Sequence, residues 1–204
     1  MKKNIIAILT LNDINLALNT VEALAEAGVT HIEMTLRTTN ALDILKELSS
    51  HFPNITIGAG TITSDTLYHL AIEHGAKFIV SPGITDKLAR VSLEYTNIPY
   101  FAGVATASEI LLALEYKIHN LKFFPAELSG GANKLKAFFP IFPQVQFCPT
   151  GGINLENMHN YLSLSNVNSI GVSSIAPELL IKQQEFKKIN TVAKQFVAAL
   201  LTNN

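Results

Sequence analysis

Short apolar runs alternate with longer helix-patterned segments along the whole chain, and this rhythm constrains the fold more than any single motif. Strand-like runs fall at Ile5–Leu9, Thr30–Leu36, Ile55–Ile57, Lys77–Val80, Pro99–Ala102, around Lys122, at Val145–Cys148 and at Ser169–Val172. A helix capped by Asn12 or Asp13 should run to Ala27, with Leu16, Val21, Leu24 and Ala25 on one face and Gly28 as its stop. Further helices are expected from Asn40 to Ser50, from the Ser64 cap to near Gly75, from Asp86 to Tyr95, and after Thr106-Ala107-Ser108-Glu109, which reads as a capping box. The last three run from Ser129-Gly130-Gly131 to Phe139, from Leu155 to Leu164 and from Phe186 to Leu201. Eight such pairs at about 25 residues per unit are the minimum for a (β/α)8 barrel. No linker or low-complexity stretch interrupts them, so the expected architecture is α/β, a single-domain (β/α)8 TIM barrel over residues 1–204. A doubly wound open sheet competes, but it normally carries Gly-x-Gly-x-x-Gly after an early strand, and Gly58-Ala59-Gly60 is only a fragment of that.

Apolar residues make up 48% of the chain and charged residues 15%, which is enough for an ordinary core and argues against disorder. The net charge of −1 offers no global field for nucleic acid or anionic membrane, so neither is an expected partner. An anionic substrate would have to be held by local groups. No apolar run approaches the length of a membrane span. Met1-Lys2-Lys3-Asn4 followed by Ile5–Leu11 mimics a signal peptide, but Thr10 and Asn12-Asp13 break the run and no small-x-small site follows; it reads as a first strand. The lone cysteine, Cys148, cannot form an intrachain disulfide and fits a cytoplasmic protein.

The chemistry collects at the ends of the strand-like runs, where barrel enzymes place it. In Asn120-Leu121-Lys122-Phe123-Phe124-Pro125-Ala126-Glu127 an amine is flanked by Leu121, Phe123 and Phe124. Burial disfavours an ammonium and frees a lone pair for attack on a carbonyl, as a Schiff-base lysine requires. The competing reading is a strand lysine that snorkels to solvent. With period two, Glu33, Thr35 and Arg37 share one face of the second strand. A glutamate turned into a barrel is costly unless paired or working; it could pair with Arg37 or Lys122 and do no more. Gly58-Ala59-Gly60-Thr61 allows close backbone approach to a ligand. Pro149-Thr150-Gly151-Gly152 and Gly171-Val172-Ser173-Ser174 end the seventh and eighth strands, where barrels often bind phosphate. The six histidines are scattered, with no metal-ligand cluster. Cys148 reads as a core thiol rather than a nucleophile, and no Gly-x-Ser-x-Gly elbow occurs.

Taken in order, Glu33-Met34-Thr35-Leu36-Arg37-Thr38, Gly58-Ala59-Gly60-Thr61, Ser81-Pro82-Gly83, Lys122-Phe123-Phe124-Pro125-Ala126-Glu127 and Cys148-Pro149-Thr150-Gly151-Gly152 resemble the class I 2-keto-3-deoxy-6-phosphogluconate (KDPG) and 4-hydroxy-2-oxoglutarate (KHG) aldolases over nearly the whole chain. The resemblance implies a homotrimeric barrel with no metal or organic cofactor. It implies cleavage of a small phosphorylated keto acid to pyruvate and glyceraldehyde 3-phosphate, in the Entner–Doudoroff route. Carried over, Lys122 is the Schiff-base lysine and Glu33 the general acid/base. Arg37 and Thr61 match positions that hold the pyruvyl carboxylate, Pro82 and Thr150 also face substrate, and Gly151, Gly152 and Ser173 match the phosphate site. The chain departs from the family pattern in lacking a proline in Ile6-Ala7-Ile8. It also has Val172 and Ser174 where many members have glycine and tryptophan, which bears on phosphate geometry. The alternatives are a phosphogalactonate aldolase, a phosphate-sugar isomerase or synthase using Lys122 only as a charge, and a catalytically silent ligand-binding barrel.

Overall fold

The structure, a computed structural model, describes residues 3–202. Met1 and Lys2, which open the segment weighed as a targeting signal, lie outside the described residues. The elements are β1 (Asn4–Leu9), α1 (Ile14–Glu26), β2 (His31–Thr35), α2 (Ala41–His51), β3 (Thr56–Gly60), α3 (Asp65–Glu73), β4 (Ile79–Val80), α4 (Asp86–Ser92), β5 (Tyr100–Val104) and α5 (Ala107–Glu115). They continue through β6 (Asn120–Phe123), α6 (Gly131–Phe138), β7 (Gln146–Pro149), α7 (Met158–Leu162), β8 (Ser169–Val172), α8 (Glu178–Lys182) and α9 (Phe186–Leu201). All strand pairings are parallel: each strand neighbours the next in sequence, and β8 pairs with β1. The β7–β8 seam is closed by the bridges Phe147–Val167 and Thr150–Gly171, and the Phe147 amide donates to Asn166 O at 2.8 Å. This consecutive order is that of a (β/α)8 barrel, not of a doubly wound sheet.

Successive strand residues face opposite ways, and the barrel has two apolar layers as a result. Ile5, Ala7 and Leu9 of β1 and Ile32 and Met34 of β2 join Val21, Leu24, Ile44 and Leu48 of the helices in the outer layer. Ile6, Phe78, Val80 and Cys148 form a second cluster inside the barrel, with Phe101 packed on it. The Phe78 and Phe101 rings meet edge-on at 6.0 Å. Gly58 makes room for them, because a Cβ there would sit 2.5 Å from the Phe78 ring. Burying such a ring contributes about 2–3 kcal/mol, and this plug closes the floor beneath the polar mouth.

Side-chain caps start several helices where the sequence placed them. Asp13, Ser64, Thr85 and Thr106 each accept an amide from the first turn, and Thr106 and Glu109 complete the capping box. Each cap contributes about 1 kcal/mol. Asn12 instead clasps the loop after β2, its Oδ1 accepting from Thr39 Oγ1 and the Asn40 amide. Three expectations need correction. The fourth run is strand only at Ile79–Val80. The helix expected from Leu155 to Leu164 is confined to Met158–Leu162, because the Asn154 and Asn157 side chains take up the preceding backbone amides. The extra helix α8 follows Pro177, whose fixed φ suits a helix start, and is braced by a Lys182–Glu178 pair. Among the described residues no helix is long and apolar enough to cross a membrane.

Candidate active site

Lys122 stands on β6 between Gly103 of β5 and Cys148 of β7. Its side chain crosses the barrel mouth to β2, where Nζ donates to Glu33 Oε1 at 3.1 Å and lies 3.5 Å from Oε2. Lys122 is 7% exposed and Glu33 3%. The lysine therefore does not snorkel to solvent. Glu33 is paired with Lys122, not with Arg37. Such a buried pair is a weak stability device, because desolvation offsets much of its attraction. Its presence at the mouth of a barrel points to chemistry instead. The Phe124 ring stands 5.3 Å from Nζ. Gly60, at the end of β3, has no side chain where the Glu33 carboxylate lies; a Cβ there would overlap it.

A cavity of about 230 Å³ opens above the amine. Arg37, Thr61, Pro82, Lys122, Thr150, Gly151, Gly152 and Ser173 all line it; Glu33 lies beneath, held to Lys122. All but Lys122 lie just past the C-terminal end of a strand. Arg37 is beyond the end of β2 in a turn, so it does not share the strand face of Glu33 and Thr35. Thr35 is tied to the Thr10 hydroxyl at 2.8 Å. Among the described residues, no hydrogen bond or ion pair takes the Arg37 guanidinium, which leaves its donors free. Thr61 has φ +64°, a left-handed conformation rare for a β-branched residue and costing about 1–3 kcal/mol.

Thr150 Oγ1 donates to Cys148 O at 3.4 Å, and Gly171 leaves the space that this hydroxyl fills. Burial pushes the Cys148 thiol up to about 11, so it stays protonated at neutral pH. The Pro82 wall is fixed by Ser81, whose buried hydroxyl donates to Gly83 O at 2.6 Å and meets the Tyr100 hydroxyl at 2.8 Å. Across the mouth, the loops after β6 and β7 are laced together: the Ala126 amide donates to Thr150 O at 2.8 Å and the Glu127 amide to Gly151 O at 3.2 Å. Gly151 and Gly152 have φ of +101° and +82°. Among the described residues, no protein acceptor takes the amides of Gly152, Ile153, Ser173 and Ser174. No group of three or more His, Cys, Asp or Glu side chains among them could hold a metal ion.

The sequence model for KDPG and KHG aldolases matches residues 1–192. The chain belongs to the KDPG and KHG aldolase family. A 2-dehydro-3-deoxy-phosphogluconate aldolase of Pseudomonas aeruginosa is 40% identical over 174 residues, covering 85% of this chain and 79% of that one. A KHG/KDPG aldolase of Escherichia coli is 35% identical over 193 residues, covering 95% and 90%. The crystal structure of a KDPG aldolase from Legionella pneumophila, with pyruvate captured as a covalent carbinolamine, superposes with a TM-score of 0.91 at 39% identity, covering 95% of this chain and 93% of that one.

In this member of the aldolase family, Gly171 of the expected phosphate stretch also lines the cavity, as do three residues that sequence reasoning did not single out for it: Ile8, Phe124 and Ile153. Ile8 was accessible through period two, two residues after the inward-facing Ile6 on β1. In the sequence Phe124 is legible only as an apolar neighbour of the lysine. The Ser81–Tyr100 contact joins residues 19 apart and left no local signal.

Proposed function

We propose that the chain, a single barrel domain over residues 1–204, is a class I aldolase. It cleaves 2-dehydro-3-deoxy-6-phosphogluconate to pyruvate and glyceraldehyde 3-phosphate. The observation that carries this reading is the buried Lys122–Glu33 pair, 3.1 Å apart, beneath a cavity rimmed by unpaired donors. Lys122 gives a proton to Glu33 and, as the neutral amine, attacks the C2 carbonyl. Glu33 returns that proton to the carbinolamine hydroxyl, which leaves as water, so that an iminium remains and the carboxylate is free again. Glu33, directly or through a water, removes the C4 hydroxyl proton, the C3–C4 bond breaks, and its electrons pass into the iminium. Glyceraldehyde 3-phosphate leaves, the enamine is protonated at C3, and water releases pyruvate and restores the amine. The carboxylate thus works in both directions as acid and base.

Arg37 clamps the keto-acid carboxylate with two parallel N–H donors, and Thr61 supports it. Pro82 and Thr150 flank the reacting carbons. Gly151, Gly152 and Ser173 take the phosphate, the amides of Gly152 and Ser173 having no protein acceptor among the described residues. 4-Hydroxy-2-oxoglutarate, which has no phosphate, is a second substrate, in line with the KHG/KDPG name of the Escherichia coli relative. The assembly is a homotrimer, as the family resemblance implies, and sedimentation measures it. Its compartment is the cytoplasm; the single thiol, buried and unpaired, fits a reducing one. A coupled assay for pyruvate tests the activity with the gluconate-type, galactonate-type and short hydroxy-keto acids side by side. Preference for the gluconate-type phosphate supports the reading, and no pyruvate from any of the three contradicts it.

A further inference from the structure

Three successive carbonyls of the β7 loop are taken from the outside. Thr150 O accepts from the Ala126 amide, Gly151 O from the Glu127 amide, and Gly152 O from Asn157 Nδ2 at 2.8 Å. The first two donors are backbone. The third is a side chain, and it is held in turn: Asn157 Oδ1 accepts the Asn154 amide at 2.8 Å. Glu127 and Asn157 line a polar groove on the outer side of the loop, while Gly152 and Ile153 line the cavity above Lys122.

A trans peptide is planar, with its C=O and the following N–H pointing in opposite directions. Turning the Gly152 carbonyl outward to Asn157 therefore aims the Ile153 amide at the cavity. Turning the Gly151 carbonyl to Glu127 does the same for the Gly152 amide. Among the described residues, both amides lack a protein acceptor. Glycine at φ +82° has little preference of its own between orientations, so the choice falls to what holds its carbonyl. Ser174 Oγ adds a tie by donating to Ile153 O at 3.1 Å, joining this loop to the one after β8.

We infer that Asn157 is a positioning residue: from outside the cavity it locks the Gly152–Ile153 peptide so that its N–H faces an anionic group, a phosphate monoester, bound between the β7 and β8 loops. This rests on the aldolase reading for its substrate, but not for its first test. Calorimetric titration with inorganic phosphate should show binding to the wild-type protein and at least about ten-fold weaker binding to Asn157→Ala, the size expected for a charge-assisted hydrogen bond. Asn157→Asp keeps an acceptor for the Asn154 amide and loses the donor to Gly152 O, so it should weaken phosphate in the same direction. With the phosphorylated keto acid as substrate, Asn157→Ala should raise KM by a similar factor while kcat changes less than two-fold. Equal phosphate affinity in wild type and Asn157→Ala, no phosphate binding to the wild type, or a kcat loss without a KM rise would each overturn the inference. Failure of the aldolase reading would show separately, as wild-type protein that binds phosphate but forms no borohydride-reducible adduct with pyruvate.

Discussion

Gly60 and Glu33 share one volume: the carboxylate of the glutamate lies where a side chain on the glycine would begin. The two residues sit on adjacent strands, Gly60 pairing in register with Thr35, two residues past Glu33. The bare position lets the carboxylate stay level with the amine of Lys122. A methyl group at Gly60 should push it away, and a displacement near 1 Å at a reacting group costs about 100-fold in rate. Gly60→Ala is therefore expected to lower kcat about 100-fold while pyruvate can still be trapped on Lys122, as measured by steady-state kinetics and protein mass.

Glu33→Gln removes the base but keeps a polar partner for the lysine. Positioned proton transfer contributes about 10²–10⁴-fold, so kcat should fall by that range with folding intact by circular dichroism. Full activity in Glu33→Gln would contradict the role given to the carboxylate.

Arg37 offers a planar fork that lysine cannot copy. Arg37→Lys should raise KM for the keto acid by about ten-fold or more, corresponding to roughly 1.5–3 kcal/mol for a charge-assisted pair, with a smaller effect on kcat. Initial-rate measurements over substrate concentration separate the two parameters.

Thr61 occupies a left-handed backbone conformation that glycine adopts without strain. Thr61→Gly should raise the free energy of unfolding by about 1 kcal/mol while raising KM, a trade of stability against binding. Urea denaturation gives the first quantity; a loss of stability in this variant would show that the strain is not there.

Burial raises the Cys148 thiol from 9.0 to about 11. Above pH 9 the unfolded chain loses this proton while the folded chain keeps it, so the linked stability is full below pH 9 and falls as pH rises toward 11. The fall amounts to at most about 3 kcal/mol. Urea midpoints between pH 8 and pH 10.5 should drop less steeply in Cys148→Ala than in the wild type.

Much of the barrel is local in origin, and was legible for that reason. Strand and helix periods differ, caps such as Ser64 and Thr106 act within four residues, and barrel topology follows from repetition of one unit. The placement of Lys122 and Glu33 was also accessible, since few forces put an amine and a carboxylate on apolar strands. What escaped notice was set by distant contacts or by side chains competing with backbone. The Ser81–Tyr100 bond joins two strands, and Asn154 and Asn157 consume amides that a longer α7 would need. Arg37 was placed on the β2 face by counting in twos past Thr35, where the strand ends and the count no longer applies. The helix α8 did have signals, Pro177 and the Glu178–Lys182 spacing, in a segment short enough to read as a loop.

The central claim is that the amine of Lys122 forms a covalent bond to a keto acid. Incubating the protein with pyruvate and borohydride, then weighing it intact and after digestion, tests this directly. The account predicts the added mass of one reduced pyruvyl group per chain, on the peptide containing Lys122, and none in Lys122→Ala. An unmodified wild-type chain, or an adduct that persists in Lys122→Ala, would contradict it.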